Sequence, residues 1–258
     1  MANNGQAFKP AKMAQTTWDY LLKFTTFHEG VVNHMYHNFP LGSKYPDVSC
    51  GIGFLLQGTN AGAADTTVKG WLNFFIQADG TPATEELFKT DWDNCYKIKR
   101  VSQPKGGLIA EYTTDCKLRI RGELVQSKMA QILVGKLNTE LNGALSGVNF
   151  WALPAISQVG IASLSYGYSL SKMPNFCKAI KTGDFQWAAA ESKLSNMSDI
   201  KSYDHRLLFL DAEYLNKYYK EDPVAMAYLP LTISKWTTLQ NQSGAIGLGG
   251  KSEQIMSE

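Results

Sequence analysis

Long apolar runs are missing from this chain. Nowhere in its 258 residues does an apolar stretch reach the roughly 18 residues of a helical membrane span, so no span is expected. Residues 1–6 (MANNGQ) do not begin a charged segment followed by an apolar one, so synthesis in the cytoplasm without a secretory leader is expected. Charge of one sign is scarce too. Lys and Arg number 25 against 23 Asp and Glu, giving a net charge of +2 and a pI near 8.2. That excludes the strongly basic footprint of a nucleic-acid binder and leaves only a mild bias toward anionic surfaces. Cys50, Cys95, Cys116 and Cys177 are scattered with no Cys-x-x-Cys pair. Neither a zinc site nor a disulfide framework is signalled, and buried or partly buried thiols are expected. No Gly-x-Ser-x-Gly motif and no internal repeat occurs, and Gly247-Leu248-Gly249-Gly250 opens no helix, so it is not a phosphate loop.

At 44% hydrophobic and 19% charged residues, the chain can bury a sizeable core in one large domain or two lobes. Periodicity predicts a mainly helical α+β protein. Residues 16–28 carry Trp18, Leu21, Leu22, Phe24 and Thr25 at helical spacing, with Thr16 or Thr17 as N-cap. Residues 34–56 read as a small hairpin or three-stranded sheet. A second helix is expected over 63–77, and a third from Thr81 to about residue 97, with Thr81 as cap and Pro82 at the first helical position. After a loop at 100–112, helices are expected at 123–141, at 153–171 where Pro174 stops the most apolar one, at 175–193 broken at Gly183-Asp184, and at 203–219. The Gly-rich residues 243–258 read as a flexible tail.

The chemistry-bearing residues cluster early. Glu29 ends the first helix, Gly30 and Tyr36 follow, and then comes Ser49-Cys50-Gly51-Ile52-Gly53-Phe54. Further blocks follow in order: residues 83–93 with Leu87-Phe88 and paired Asp91 and Asp93, residues 160–168, Gly183-Asp184-Phe185, and Arg206 within 204–210. In this order the segments resemble phage lysozymes of the T-even type, across roughly residues 16–97 and 155–216. The resemblance implies a single lysozyme-like domain over 1–258, two-lobed, with a β-hairpin lobe and a helical lobe. The catalytic helix and hairpin would lie in 16–60, and residues 98–150 would be an enlargement between lobes. It also implies hydrolysis of the bond between N-acetylmuramic acid and N-acetylglucosamine in bacterial peptidoglycan.

Glycoside cleavage needs one group that still holds a proton for the leaving oxygen, and a second that positions water or steadies the cationic sugar. Glu29 is the candidate acid. The family's Asp nine residues after the Glu is replaced here by Asn38, and its Thr by Ser49. Asn38 cannot act as a base, but its amide can orient water or sugar. Strand alternation places Asp47 on the same face as Ser49, so Asp47 is the candidate for the missing carboxylate, with an exposed turn aspartate as the alternative. Tyr36, Asn38, Gly51 and Gly53 are the expected substrate contacts. If Glu29 works alone, the substrate's own hydroxyl attacks and the protein is a lytic transglycosylase. If Asn38 marks lost catalysis, it is a wall-binding protein.

His28, His34 and His37 lie within ten residues, but no carboxylate or cysteine completes a metal site at useful spacing unless Cys50 folds back, so no metal or other cofactor is expected. Trp71, Phe74, Phe75, Trp151, Tyr166 and Tyr168 read mostly as core. Arg206 is expected to tie helices together or to meet Glu29. The resemblance implies action in the periplasm or wall of a target bacterium, reached through a holin or a secretion machine. Peptidoglycan glycan strands are the expected partner, joined by an immunity protein if the chain is a toxin.

Overall fold

The first long helix, α1 (Gln15–Glu29), turns one apolar side inward, burying Trp18, Leu21, Leu22, Phe24 and Thr25. The computed structural model of the chain describes residues 4–38, 47–57, 65–96, 116–194 and 197–230, and there the protein is α+β and mainly helical. Trp18 N–H donates to the Ala14 carbonyl at 3.0 Å. The helical ladder therefore starts ahead of Thr16 and Thr17, and neither residue caps it. The expected loop at 100–112 and tail at 243–258 lie outside the described residues.

The chain divides into two compact units, one made chiefly of residues 29–129 and one of residues 5–28 and 130–258. In the first, β1 (Val32–Asn38), β2 (Asp47–Gly51) and β3 (Phe54–Gln57) form an antiparallel sheet in that order. Next come α2 (Asp65–Trp71), a 3-10 turn over Leu72–Phe74, β4 (Phe75–Gln77), α3 (Glu85–Tyr96) and β5 (Leu118–Ile120).

Two expectations fail in this unit for one physical reason. The helix predicted over 63–77 stops at Trp71, because Phe75, Ile76 and Gln77 pair with Ile120, Arg119 and Leu118. Pro82 bridges to Ile76 rather than starting a helix, and the chain enters α3 only at Glu85, with Thr84 Oγ1 accepting the Leu87 N–H at 3.2 Å. Thr81 is instead bonded to Asp79, whose carboxylate accepts both its N–H and its hydroxyl. Strand pairing here outweighs the local helical pattern.

Asp91 of α3 is fully buried and accepts the N–H groups of Lys117 (3.1 Å) and Leu118 (2.7 Å), fastening the start of β5 to the helix. The same unit holds an aromatic core in which Phe54, Trp71, Phe74, Phe75 and Phe88 meet edge to face or stacked, with centroids 5.5–6.0 Å apart.

The second unit is built from α1 and from α4 (Gly122–Asn142), whose residues from Ala130 on belong to it. The others are α5 (Ala155–Gly167), α6 (Pro174–Thr182), α7 (Phe185–Glu191), α8 (Asp199–Tyr218) and the short α9 (Pro223–Met226). α5 is buried from Ala155 to Tyr166, its apolar residues lying almost all round and its serines and Gln158 buried with them. It ends at Gly167, seven residues before Pro174, and Pro174 opens α6 rather than stopping its predecessor, which suits a residue with no N–H to lose. The predicted break at Gly183-Asp184 is present: Asp184 caps α7 by accepting the Trp187 N–H at 2.8 Å. α8 starts four residues earlier than its apolar pattern suggests, because Ser198 caps it through the Lys201 N–H.

Candidate active site

Glu29 is the last residue of α1, half-buried, and the chain turns left-handed at Gly30 before entering β1. Its carboxylate reaches the turn that joins β2 to β3. Gly53 in that turn has φ +65°, and a Cβ placed on it would lie 3.7 Å from Glu29 Oε2. The same turn begins at Gly51, with φ +59°, where a Cβ would fall 2.5 Å from two ring carbons of Phe54. Both positions favour glycine through their positive φ, and at Gly51 the Phe54 ring also leaves no room for a Cβ. Of the sequence candidates, the structure brings Glu29, Gly51 and Gly53 to one end of the sheet, where Val32 pairs with Gly51.

The other candidates follow along the ladder. Tyr36 pairs with Ser49, and Asn38 with Asp47. Alternation puts positions 36, 38, 47 and 49 on one face of the β1–β2 pair, as expected for Asp47 and Ser49. For Asn38 and Asp47 the structure describes this backbone register. Met35, Val48 and Cys50, at the intervening positions, are fully buried. Tyr36 is half-buried and Ser49 is 4% exposed, while Leu55, the β3 partner of Ser49, is 52% exposed. Ser49 stands two residues, or roughly 7 Å, from Gly51, and the Asn38–Asp47 pair about as far again. The hydroxyl is thus the nearer of the two to the Glu29 end.

The face opposite Ser49 belongs to the core. Burial holds the Cys50 thiol well above its ordinary pKa, which makes it a neutral packing group. His34 is half-buried, with its pKa lowered by burial and then by Arg119, and its Nδ1 lies 2.8 Å from Asn33 Oδ1. Among the described residues, no three His, Cys, Asp or Glu side chains gather as metal ligands would. All four cysteines are buried thiols, as expected.

The second unit holds buried polar pairings that nothing local in the sequence signals. His28 Nε2 lies 3.2 Å from Asp204 Oδ2, and both side chains are almost wholly buried. His205, fully buried, has Nδ1 at 2.7 Å from the Lys201 carbonyl and Nε2 at 3.3 Å from Ser163 Oγ. A carbonyl only accepts, so Nδ1 carries the proton and Ser163 donates to Nε2. That neutral ring agrees with a pKa held well below the usual value by burial, and further by Lys201 and His28. The Phe24 ring packs against both histidines, with centroids 4.6 Å and 5.2 Å away. Arg206, expected to tie helices together or to meet Glu29, is exposed on α8; its neighbours Asp204, His205, Leu208 and Phe209 are the ones turned inward. Of the aromatics, Phe74, Phe75 and Tyr166 are buried, and Trp71, Trp151 and Tyr168 are half-buried.

No protein family, no curated protein and no solved structure matches this chain.

Proposed function

We propose that the chain is a lysozyme-type glycosidase, cleaving the bond between N-acetylmuramic acid and N-acetylglucosamine in bacterial peptidoglycan, with Glu29 as the acid. One observation carries the reading: the Glu29 carboxylate lies beside the turn that joins β2 to β3, with Oε2 3.7 Å from the place a Cβ on Gly53 would take. A carboxylic acid at a helix end, beside a turn whose one side chain between the glycines, Ile52, is buried, can be approached by the oxygen of a bulky sugar. In this mechanism Glu29 gives its proton to the leaving oxygen as the glycosidic bond breaks. Water then adds to the sugar carbon from the opposite face, and the two carboxyl groups of such a site stand about 6.5–9.5 Å apart when a water lies between them.

The strand register supports that second role. Ser49 can accept and donate a hydrogen bond to the water. Asp47, registered beside Asn38 and two residues from Ser49, supplies a carboxylate at a position where Asn38 cannot act as a base. Tyr36, opposite Ser49, offers a ring edge or hydroxyl to the sugar. No bound cofactor is invoked. The protein would act in the wall or periplasm of a target cell after passage through a holin or a secretion machine, and a toxin of this kind would require an immunity protein in its producer.

Digestion of purified Gram-negative peptidoglycan, with released fragments identified by mass, tests the proposal. Muropeptides ending in a reducing sugar, formed by the wild type alone and not by Glu29→Gln, are the expected products. Anhydro-sugar ends would replace the hydrolase by a transglycosylase that uses Glu29 alone. Wall binding without any fragment would leave a binding protein.

A further inference from the structure

Cys95 and Cys116 are 21 residues apart in the chain, and their sulfurs are 3.6 Å from each other in the interior of the first unit. Their neighbours hold them there. Asp91 stands one helical turn before Cys95 on α3, so the two project from the same side of the helix. Asp91 clamps the N–H groups of Lys117 and Leu118, the two residues after Cys116. The carboxylate thus fixes the chain entering β5 against α3, and the next contact along that seam is sulfur on sulfur. Cys116 Sγ also lies 3.3 Å from the Met35 carbonyl of β1, a second restraint on its position.

From this geometry we propose that Cys95 and Cys116 form a disulfide when the chain folds in an oxidising compartment, covalently tying α3 to the start of β5. The sulfurs need to close from 3.6 Å to about 2.0 Å, a displacement that side-chain rotation can supply while the backbone stays clamped. Two S–H bonds break and one S–S bond forms. Each sulfur gives up one electron, and the pair of electrons reduces a small-molecule disulfide such as oxidised glutathione to two thiols, which take up the two protons. Exchange proceeds through a mixed disulfide, so one thiolate must meet the oxidant. Both side chains are at most 3% exposed in the folded protein. The bond therefore forms during folding, and the folded protein then shields it from reductants. Cys50 and Cys177, buried elsewhere, remain thiols. This inference does not depend on the glycosidase reading.

The test is refolding of the full-length chain from denaturant, in buffer containing reduced and oxidised glutathione, followed by alkylation and peptide mapping. The expected result is an intact mass lower by two hydrogens, a Cys95–Cys116 cross-linked peptide, and alkylated Cys50 and Cys177. The oxidised protein should melt about 5–10 °C above the reduced one, a difference that vanishes in Cys95→Ala and Cys116→Ala. Four alkylated cysteines after oxidative refolding, a cross-link between any other pair, or equal melting of the oxidised and reduced wild type would overturn the proposal. The mapping uses wild-type protein alone, so it stands even if a variant fails to fold.

Discussion

Gly53 and Gly51 sit two residues apart in one turn and answer to different neighbours. An Ala at either position must adopt a positive φ, at a cost of about 1–2 kcal/mol. At Gly53 the new methyl would lie in ordinary contact with the Glu29 carboxylate, 3.7 Å from Oε2, so Gly53→Ala should carry the backbone cost alone. At Gly51 the methyl would overlap the Phe54 ring at 2.5 Å, which adds about 1–3 kcal/mol of overpacking. Urea unfolding should accordingly find Gly51→Ala the less stable of the two; equal midpoints would contradict this assignment of neighbours. Asp47→Asn should lower the digestion rate by about 100-fold if its carboxylate activates water, and full activity would remove it from the site. These residues were legible because Glu29, Ser49 and the glycines crowd into one short stretch. The His28–Asp204 pair was not, since its members lie on α1 and α8, at opposite ends of the sequence, and nothing local to either marks the other.

Helix α5 owes its place to a missing side chain. A Cβ on Gly160 would lie 2.8 Å from the end of the Phe209 ring on α8, so Gly160→Ala should destabilise the protein by about 1–3 kcal/mol, read as a lower urea midpoint. Combining it with Phe209→Leu should recover part of that loss; strict additivity of the two changes would show that the helices do not meet at this point. Elements bounded by their own residues were readable in advance: α1 and α4 from their periodicity, and α6 and α7 from Gly183-Asp184. β4 was not. Phe75-Ile76-Gln77 continues the apolar spacing of α2, and only pairing with Leu118–Ile120, distant in sequence, makes it a strand. Thr81-Pro82 carried a sound helix-start signal, but the bridge from Pro82 to Ile76 uses that segment first. The lost signals share a cause, because long-range strand pairing leaves no mark in a local window.

Across the whole molecule, stability should depend on pH through the buried histidine of the second unit. The unfolded His205 ring takes up a proton near pH 6.5, whereas the folded ring, buried and facing Lys201 and His28, refuses it until well below. A depressed pKa contributes stability that is complete above the unfolded value and is lost as pH falls through it toward the folded value. The melting temperature should therefore drop between about pH 7 and 5, and drop less in His205→Gln; parallel curves for the two proteins would assign the acid sensitivity to other groups. The α+β class was legible in the sequence because helical periodicity is local. Which segments make up each compact unit was not legible in the sequence, since each unit gathers segments from separate parts of the chain. The most direct test of the whole account is the rate at which reducing ends appear when purified peptidoglycan is treated with wild type and with Glu29→Gln at equal concentration, their melting temperatures first shown to agree. The account predicts a rate at least about 100-fold lower for the variant; equal rates from two equally folded proteins would contradict it.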